Sequence, residues 1–346
     1  MSAESPLGAG LIGTGLFATQ RHYPAIASIP ASVQLAACAN RSIEKAKNFA
    51  SLAGIPDSKV YDSLASLLSD PQVDFIDALL PAQFTAQAVK DAISAGKPIA
   101  IEKPIAATLA QAKEVVALAR STDIPVAVLE NFVFWNVIPE IKALLPQIGT
   151  VIYFSHYCTS PFNFNNQYLE TWWRQKPEHV GGFLSDGGVH QVALFTEILG
   201  EIDTLSALTT QVREQSGDVD TLTATLKMKS GVLGSFTYTS AVSNPRINKL
   251  SINGTTGTII YDFADKANAT LTLYTDADKV GKVIPVAGNV QEGVPKEFEN
   301  FAEAVRKNDK SLLKIPPEKA FHHFAVIVAS VESSNNGGTA VKVAEP

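Results

Sequence analysis

The stretch Gly181-Gly182-Phe183-Leu184-Ser185-Asp186-Gly187-Gly188-Val189-His190 sets a carboxylate and an imidazole four residues apart behind paired glycines. Side chains at that spacing share one face of a helix. Imidazole gives and takes protons near neutral pH, and the pattern points to proton transfer. The same two residues also fit a helix cap with a core histidine, or two ligands of a metal at helical spacing. His179 follows Glu178 but pairs with neither, and no third ligand stands at recognisable spacing, so no metal is expected.

Two upstream motifs keep this stretch company. One is Ile101-Glu102-Lys103-Pro104, in which the proline biases Lys103 towards extended geometry at a strand end. The other is the glycine-rich turn Gly13-Thr14-Gly15-Leu16-Phe17-Ala18. The spacing Gly-x-Gly-x-x-Gly also fits Gly8 to Gly13, but that register would put the turn inside the first strand. In the later register Leu11 and Ile12 end a strand, Gly13 permits a tight turn, Gly15 lets the backbone approach a pyrophosphate, and Ala18 allows close helix packing.

About twenty residues beyond this turn, a dinucleotide-binding fold presents the side chain that meets the adenine ribose. Here the pair is Asn40-Arg41. A carboxylate would bind the 2'-hydroxyl of NAD; a neutral amide beside a guanidinium suits a 2'-phosphate, so NADP(H) is expected to be preferred over NAD(H). The competing reading is that Arg41 merely opens a solvated helix with Glu44 and Lys45. Leu80 and Pro81 stand where the run 74–80 ends, on the ligand-binding side of such a sheet, and are expected to line the cofactor cleft.

The elements that must position these groups change character along the chain. Apolar runs at 7–12, 33–39, 74–80, 98–101 and 126–129 read as strands, alternating with helical patterns at 42–52, 84–94 and 108–120. That alternation predicts a Rossmann-type, doubly wound parallel sheet over residues 1–132. Over 133–346 the expectation is an α+β substrate-binding and oligomerisation domain. It opens with a helix at 137–145 and carries a large, mostly antiparallel open sheet from runs at 150–158, 205–212, 221–228, 231–240 and 249–252. Helices at 189–199, 296–307 and 317–333 would cover one face, and a second copy of the chain is expected on the other, giving a homo-oligomer.

At 346 residues the chain exceeds one hydrophobic core, which agrees with two domains. A net charge of -6 with interleaved signs offers no basic stripe for nucleic acid. No apolar run approaches the ~18 residues of a membrane helix, and the first residues have no positive n-region, so a cytoplasmic protein is expected. Cys38 and Cys158, far apart, suggest buried fillers rather than a disulfide framework.

Taken with Trp173-Arg174, these motifs resemble the glucose-fructose oxidoreductase, inositol dehydrogenase and MocA (Gfo/Idh/MocA) family nearly end to end. The stretches 79–84 and 173–179 are similar to fungal cytosolic NADP(H) oxidoreductases within it. The resemblance implies an NAD(P)-dependent dehydrogenase or reductase interconverting a carbonyl and an alcohol on a small sugar, polyol or related compound. It also implies that Lys103 and His190 act on the substrate oxygen and its proton while Asp186 positions substrate and imidazole. The chemistry is sensible: the imidazole is a base, and the ammonium stabilises a developing oxyanion. Whether Lys103 or His190 is the terminal base stays open. Glu102 suits a hydrogen bond to the nicotinamide ribose, and Trp173, Arg174 and Asn131 are further candidates for the cofactor and substrate surface. Thr85 stands where many members carry histidine, which weakens any transfer of their sugar contacts. His22 fits either the edge of the cofactor cleft or the surface, and of His322 and His323 one is expected to face the core and the other solvent. The alternative function is a non-catalytic NAD(P)-binding regulator or sensor, which has little need for Lys103.

Overall fold

A computed structural model describes residues 5–170, 176–265, 267–286 and 293–346. It divides into two compact units: residues 1–131 with 293–321 and Pro346, and residues 132–292 with 322–345. The first unit gives way to the second between Asn131 and Phe132, whereas the sequence alone places the end of the first domain at Phe132. A single cut does not anticipate that residues 293–321 pack with the first unit. The physical reason is visible in helix Gly293–Lys307, whose Val294, Phe298, Phe301 and Ala302 join Ala9, Phe75, Ala100 and Ala127 in one buried cluster. That helix covers the parallel sheet rather than the second one.

The first unit holds strands β1 (Leu7–Ile12), β2 (Val33–Ala39), β3 (Val60–Tyr61), β4 (Phe75–Ala78), β5 (Ile99–Glu102) and β6 (Val126–Leu129). All pair in parallel, in the order β3-β2-β1-β4-β5-β6. The order reverses between β1 and β4, and at such a point the loops leaving the carboxyl ends part to form a crevice. Strands buried on both faces read as continuous apolar runs, which is why β1, β2 and β6 match their expected bounds. Helix Ile43–Ala53 begins where Ser42 caps it, accepting from the Lys45 backbone N–H, and ends at Gly54 in the left-handed conformation. Burial pushes the Cys38 thiol up to about 11, so it packs as an inert filler.

The second unit contains β7 (Val151–Pro161), β8 (Ile202–Thr210), β9 (Thr221–Met228), β10 (Leu233–Val242), β11 (Ile247–Gly254), β12 (Gly257–Asp262), β13 (Thr270–Thr275), β14 (Lys282–Ile284) and β15 (Val341–Lys342). They form one sheet, β14-β13-β12-β11-β7-β10-β9-β8-β15, antiparallel throughout except for the parallel pair of β7 and β10. In β9, buried Leu222, Ala224, Leu226 and Met228 alternate with exposed Thr223, Thr225 and Lys227, so one face is packed and the other open. On the packed side Phe195, Phe236 and Phe263 surround His156, whose Nε2 lies 2.8 Å from Gln191 Oε1. Burial pulls that imidazole down to about 4, so it is a neutral donor at physiological pH.

His322 and His323 are both buried. The expectation of one solvent-facing ring is therefore corrected: His322 turns inward because its Nε2 accepts from the Ile202 backbone N–H at 3.1 Å, satisfying the start of β8.

Candidate functional site

The glycine turn lies at the carboxyl end of β1. Gly13 has φ +98°, and a Cβ there would stand 2.2 Å from the Leu79 carbonyl oxygen after β4, so the position admits only glycine. Gly8 and Gly10 lie within β1, which settles the register in favour of Gly13-Thr14-Gly15. A Cβ on Gly15 would meet nothing within 4 Å, so the turn presents bare backbone to an open space. Leu16 is exposed and Phe17 half-buried, with Phe17 and His22 in edge contact at 5.2 Å between ring centroids. Leu80 and Pro81, half-buried, follow β4 across the crevice.

Asn40 does not point a free amide into this space. Its Nδ2 donates to Thr14 Oγ1 at 3.0 Å, and its Oδ1 accepts from the Ser42 backbone N–H at 2.9 Å. It ties the end of β2 to the glycine turn and brings no negative charge there. Arg41 is exposed, its guanidinium carbon 5.9 Å from the centre of the exposed Phe84 ring, a cation–π arrangement. Beside the turn, a cleft of about 240 Å³ is lined by Thr14, Thr19, Lys45, Asn48, Phe49 and Leu52. Lys45 thus adds a second cation on the Asn40-Arg41 side.

Glu102 is the last residue of β5; the half-buried Lys103 follows it directly and is joined to Pro104 by a cis peptide. Asn131, after β6, keeps a buried Oδ1 with no hydrogen-bond partner among the described residues. Thr85 is a brace: its hydroxyl oxygen lies 2.8 Å from both the Ala82 and Ile105 carbonyl oxygens, which share its one proton. His22 is fully buried, so the surface position is excluded; its Nδ1 meets Asp77 and its Nε2 meets Glu102, each at 2.9 Å. Sequence reasoning passed over Asp77. The available signal was its charge inside Phe75-Ile76-Asp77-Ala78, a run otherwise apolar on both faces.

In the second unit, Asp186 lies in a π-helical turn, Leu184–Gly188, that runs directly into helix Val189–Leu199 carrying His190. π-Helical turns of this kind are common at functional positions. The His190 ring stacks on Phe132 at 4.6 Å and 15°, fixing its plane. A Cβ at Gly187 would fall 2.2 Å from the Tyr238 hydroxyl, so the paired glycines let the turn pass over that phenol. Burial, then the charges of Cys158 and Asp186, hold the Tyr238 phenol above its ordinary range, leaving it a protonated donor beside the turn. Tyr238 on β10 carried no sequence signal. His179 is buried and donates to the Gly182 carbonyl at 3.2 Å, bracing the glycine pair. Among the described residues no three His, Cys, Asp or Glu side chains gather as a metal site. Trp173 and Arg174, with Trp172, lie outside the described residues.

A parallel sheet of this order, with a glycine turn at its reversal point, is the architecture of dinucleotide-binding proteins. The bare backbone at Gly15, the orphaned Asn131 oxygen and the crevice beside β1 and β4 fit such a ligand. Family models agree: residues 7–130 match the oxidoreductase-family NAD-binding Rossmann fold, and residues 142–343 match the oxidoreductase-family C-terminal alpha/beta domain. The chain is similar to the uncharacterised protein YMR315W of Saccharomyces cerevisiae, at 48% identity over 99% of this chain and all of that one. It is also similar to D-apiose dehydrogenase of Rhizobium rhizogenes, at 26% identity over 95% of each. Among solved structures, an oxidoreductase (TM0312) of Thermotoga maritima superposes with a TM-score of 0.87, at 30% identity over 98% of each chain. The chain belongs to the Gfo/Idh/MocA oxidoreductase family. It is an NAD(P)-dependent dehydrogenase acting on CH–OH groups. No helix among the described residues is long and apolar enough to cross a membrane.

Proposed function

We propose that the enzyme interconverts a carbonyl and an alcohol on a small sugar, polyol or related compound, with NADP(H) preferred over NAD(H). The observation that carries the reading is the placement of Glu102 and Lys103 at the carboxyl end of β5, two strands from the glycine turn across the reversal point. When bound, the dinucleotide supplies or accepts the hydride. Gly13, Thr14, Gly15, Leu16 and Phe17 would hold its pyrophosphate, and Leu80, Pro81, Glu102, Asn131, Trp173 and Arg174 its nicotinamide half.

The chain's own residues have three tasks. Lys103 offers an ammonium to the substrate oxygen, stabilising negative charge there; His190 takes or returns the oxygen's proton; Asp186 orients His190 and the substrate. Phe132 supports this division by locking the imidazole plane from one side.

The NADP(H) preference rests on Asn40, whose amide is already committed to Thr14 and Ser42, and on Arg41 and Lys45, the cations beside it. Arg41→Ala is expected to weaken NADPH binding by roughly tenfold to a hundredfold, the worth of a charge-assisted hydrogen bond, and to leave NADH unchanged. Fluorescence titration of the variant reads this directly, and equal losses for both dinucleotides would contradict it.

The open face of the second sheet supports a homo-oligomer. Tyr157, Leu208 and Leu233 stand 45%, 61% and 55% exposed among its threonines and serines. Light scattering that returned a monomer mass at micromolar concentration would count against this.

A further inference from the structure

Behind Lys103 the first unit holds a buried charged assembly that the reading above leaves without a task. His22 ends the π-helical turn Ala18–His22, immediately after the glycine turn, and its ring is fully buried. Nδ1 lies 2.9 and 3.1 Å from the two Asp77 oxygens on β4, and Nε2 lies 2.9 Å from Glu102 Oε1 at the end of β5. Ionised carboxylates only accept, so a ring that meets one at each nitrogen donates from both and is an imidazolium. Phe298, 5.2 Å away and nearly perpendicular, joins Phe17 in walling it from water.

The exposures separate the roles. The Asp77 side chain is 0% exposed, so nothing bound at the surface can touch it, whereas the Glu102 side chain keeps 14%. Glu297, from helix Gly293–Lys307, is also buried near this group, and its Oε2 has no hydrogen-bond partner among the described residues. Burial first, then the charge of Glu102, hold the Glu297 carboxyl well above the usual carboxylate range; Glu130 and Asp77 push the same way and His22 opposes them. Glu102 therefore sits beside other acids, and the His22 ring is the group that meets its Oε1, at 2.9 Å.

We propose that His22 is a positioning residue of the cofactor site: anchored on Asp77, it fixes Glu102 as an acceptor for the ribose hydroxyls of the nicotinamide half. The arrangement joins the glycine turn, β4 and β5, the three elements around the reversal point, so it sets the direction of Glu102. The inference rests on the cofactor reading given above.

A double-mutant cycle on the full chain tests it, with NADPH affinity as the readout and thermal melting as the check on folding. His22→Gln is expected to weaken NADPH roughly tenfold, and Glu102→Gln by a similar factor. Since His22 acts through Glu102, the double variant is expected to bind no more weakly than Glu102→Gln alone. Unchanged affinity in His22→Gln, or losses that add in the double variant, would overturn the positioning role. Absence of NADPH and NADH binding by the wild type would instead overturn the cofactor site, and this inference with it. Should His22→Gln fail to fold, nitrogen-15 NMR of the unsubstituted protein decides. Both His22 ring nitrogens carrying protons at pH 8 without cofactor supports the clamp, and a neutral ring at pH 7 overturns it.

Discussion

Replacing Lys103 or His190 by alanine is expected to lower kcat by roughly 10²- to 10⁴-fold, the usual contribution of a positioned acid or base, with little change in dinucleotide affinity. An alcohol oxygen that becomes a carbonyl must lose its proton, and in the reverse direction the oxygen gathers negative charge before it is protonated. An ammonium favours the charged oxygen and an imidazole exchanges the proton, so deletion of either group falls on the transition state. The two positions differ in what alanine removes. Lys103 follows β5 in a half-buried place, and its loss removes a charge. His190 stacks on Phe132 in the first turn of its helix, and its loss also bares that ring. Steady-state kinetics on a small polyol panel, beside thermal melts, separates catalysis from folding. Wild-type kcat in both variants would remove both residues from the chemistry.

The second large effect is on stability. Asp77→Ala is expected to cost about 3–5 kcal/mol of unfolding free energy, because it leaves a buried imidazole without its principal partner. Burial alone would lower the His22 pKa, yet the charge and hydrogen bond of Asp77, followed by those of Glu102, together raise it to about 10. The sign follows from proton counting. Between the unfolded value of 6.5 and the folded value of about 10 the folded chain holds a proton that the unfolded chain has released. The contribution of this group is therefore complete below pH 6.5 and is lost as pH rises through about 10. Urea titrations at several pH values are expected to show a wild-type advantage over Asp77→Ala that shrinks on the alkaline side. A cost below ~1 kcal/mol, the scale of exposed ion pairs, would mean that the group is solvated and contributes little.

Much of the parallel sheet was legible because buried strands and amphipathic helices write different periods into the chain. β1, β2 and β6 and helix Val189–Leu199 match their expected bounds, and Ser42 marks its helix start. β3 is two residues long, too short for a period to register, and β12 to β15 lie among Thr, Lys and Asp at the sheet's margin, where only one face is buried. The return of helix Gly293–Lys307 to the first unit was hidden for a different reason. An amphipathic helix declares that it has an apolar face but not which sheet receives it.

The candidate site divides the same way. Local motifs carried Gly13, Gly15, Lys103, Asp186 and His190, since each depends on neighbours in sequence. The link from His22 to Asp77 and Glu102 spans 55 and 80 residues, and Tyr238 meets Gly187 across the sheet, so neither has a local pattern to read. Asn40 shows the limit from the other side: its position was legible, but its amide braces Thr14 and Ser42, so the proposed preference for NADP(H) rests on the neighbouring cations.

The central claim is that this chain binds a nicotinamide dinucleotide at the carboxyl edge of its parallel sheet and favours the 2'-phosphorylated form. Titration of the purified protein with NADPH and, separately, NADH, followed by tryptophan emission, tests it most directly. Saturable binding of both with NADPH the tighter is the predicted result; failure of both to bind would contradict the cofactor site and every catalytic role built upon it.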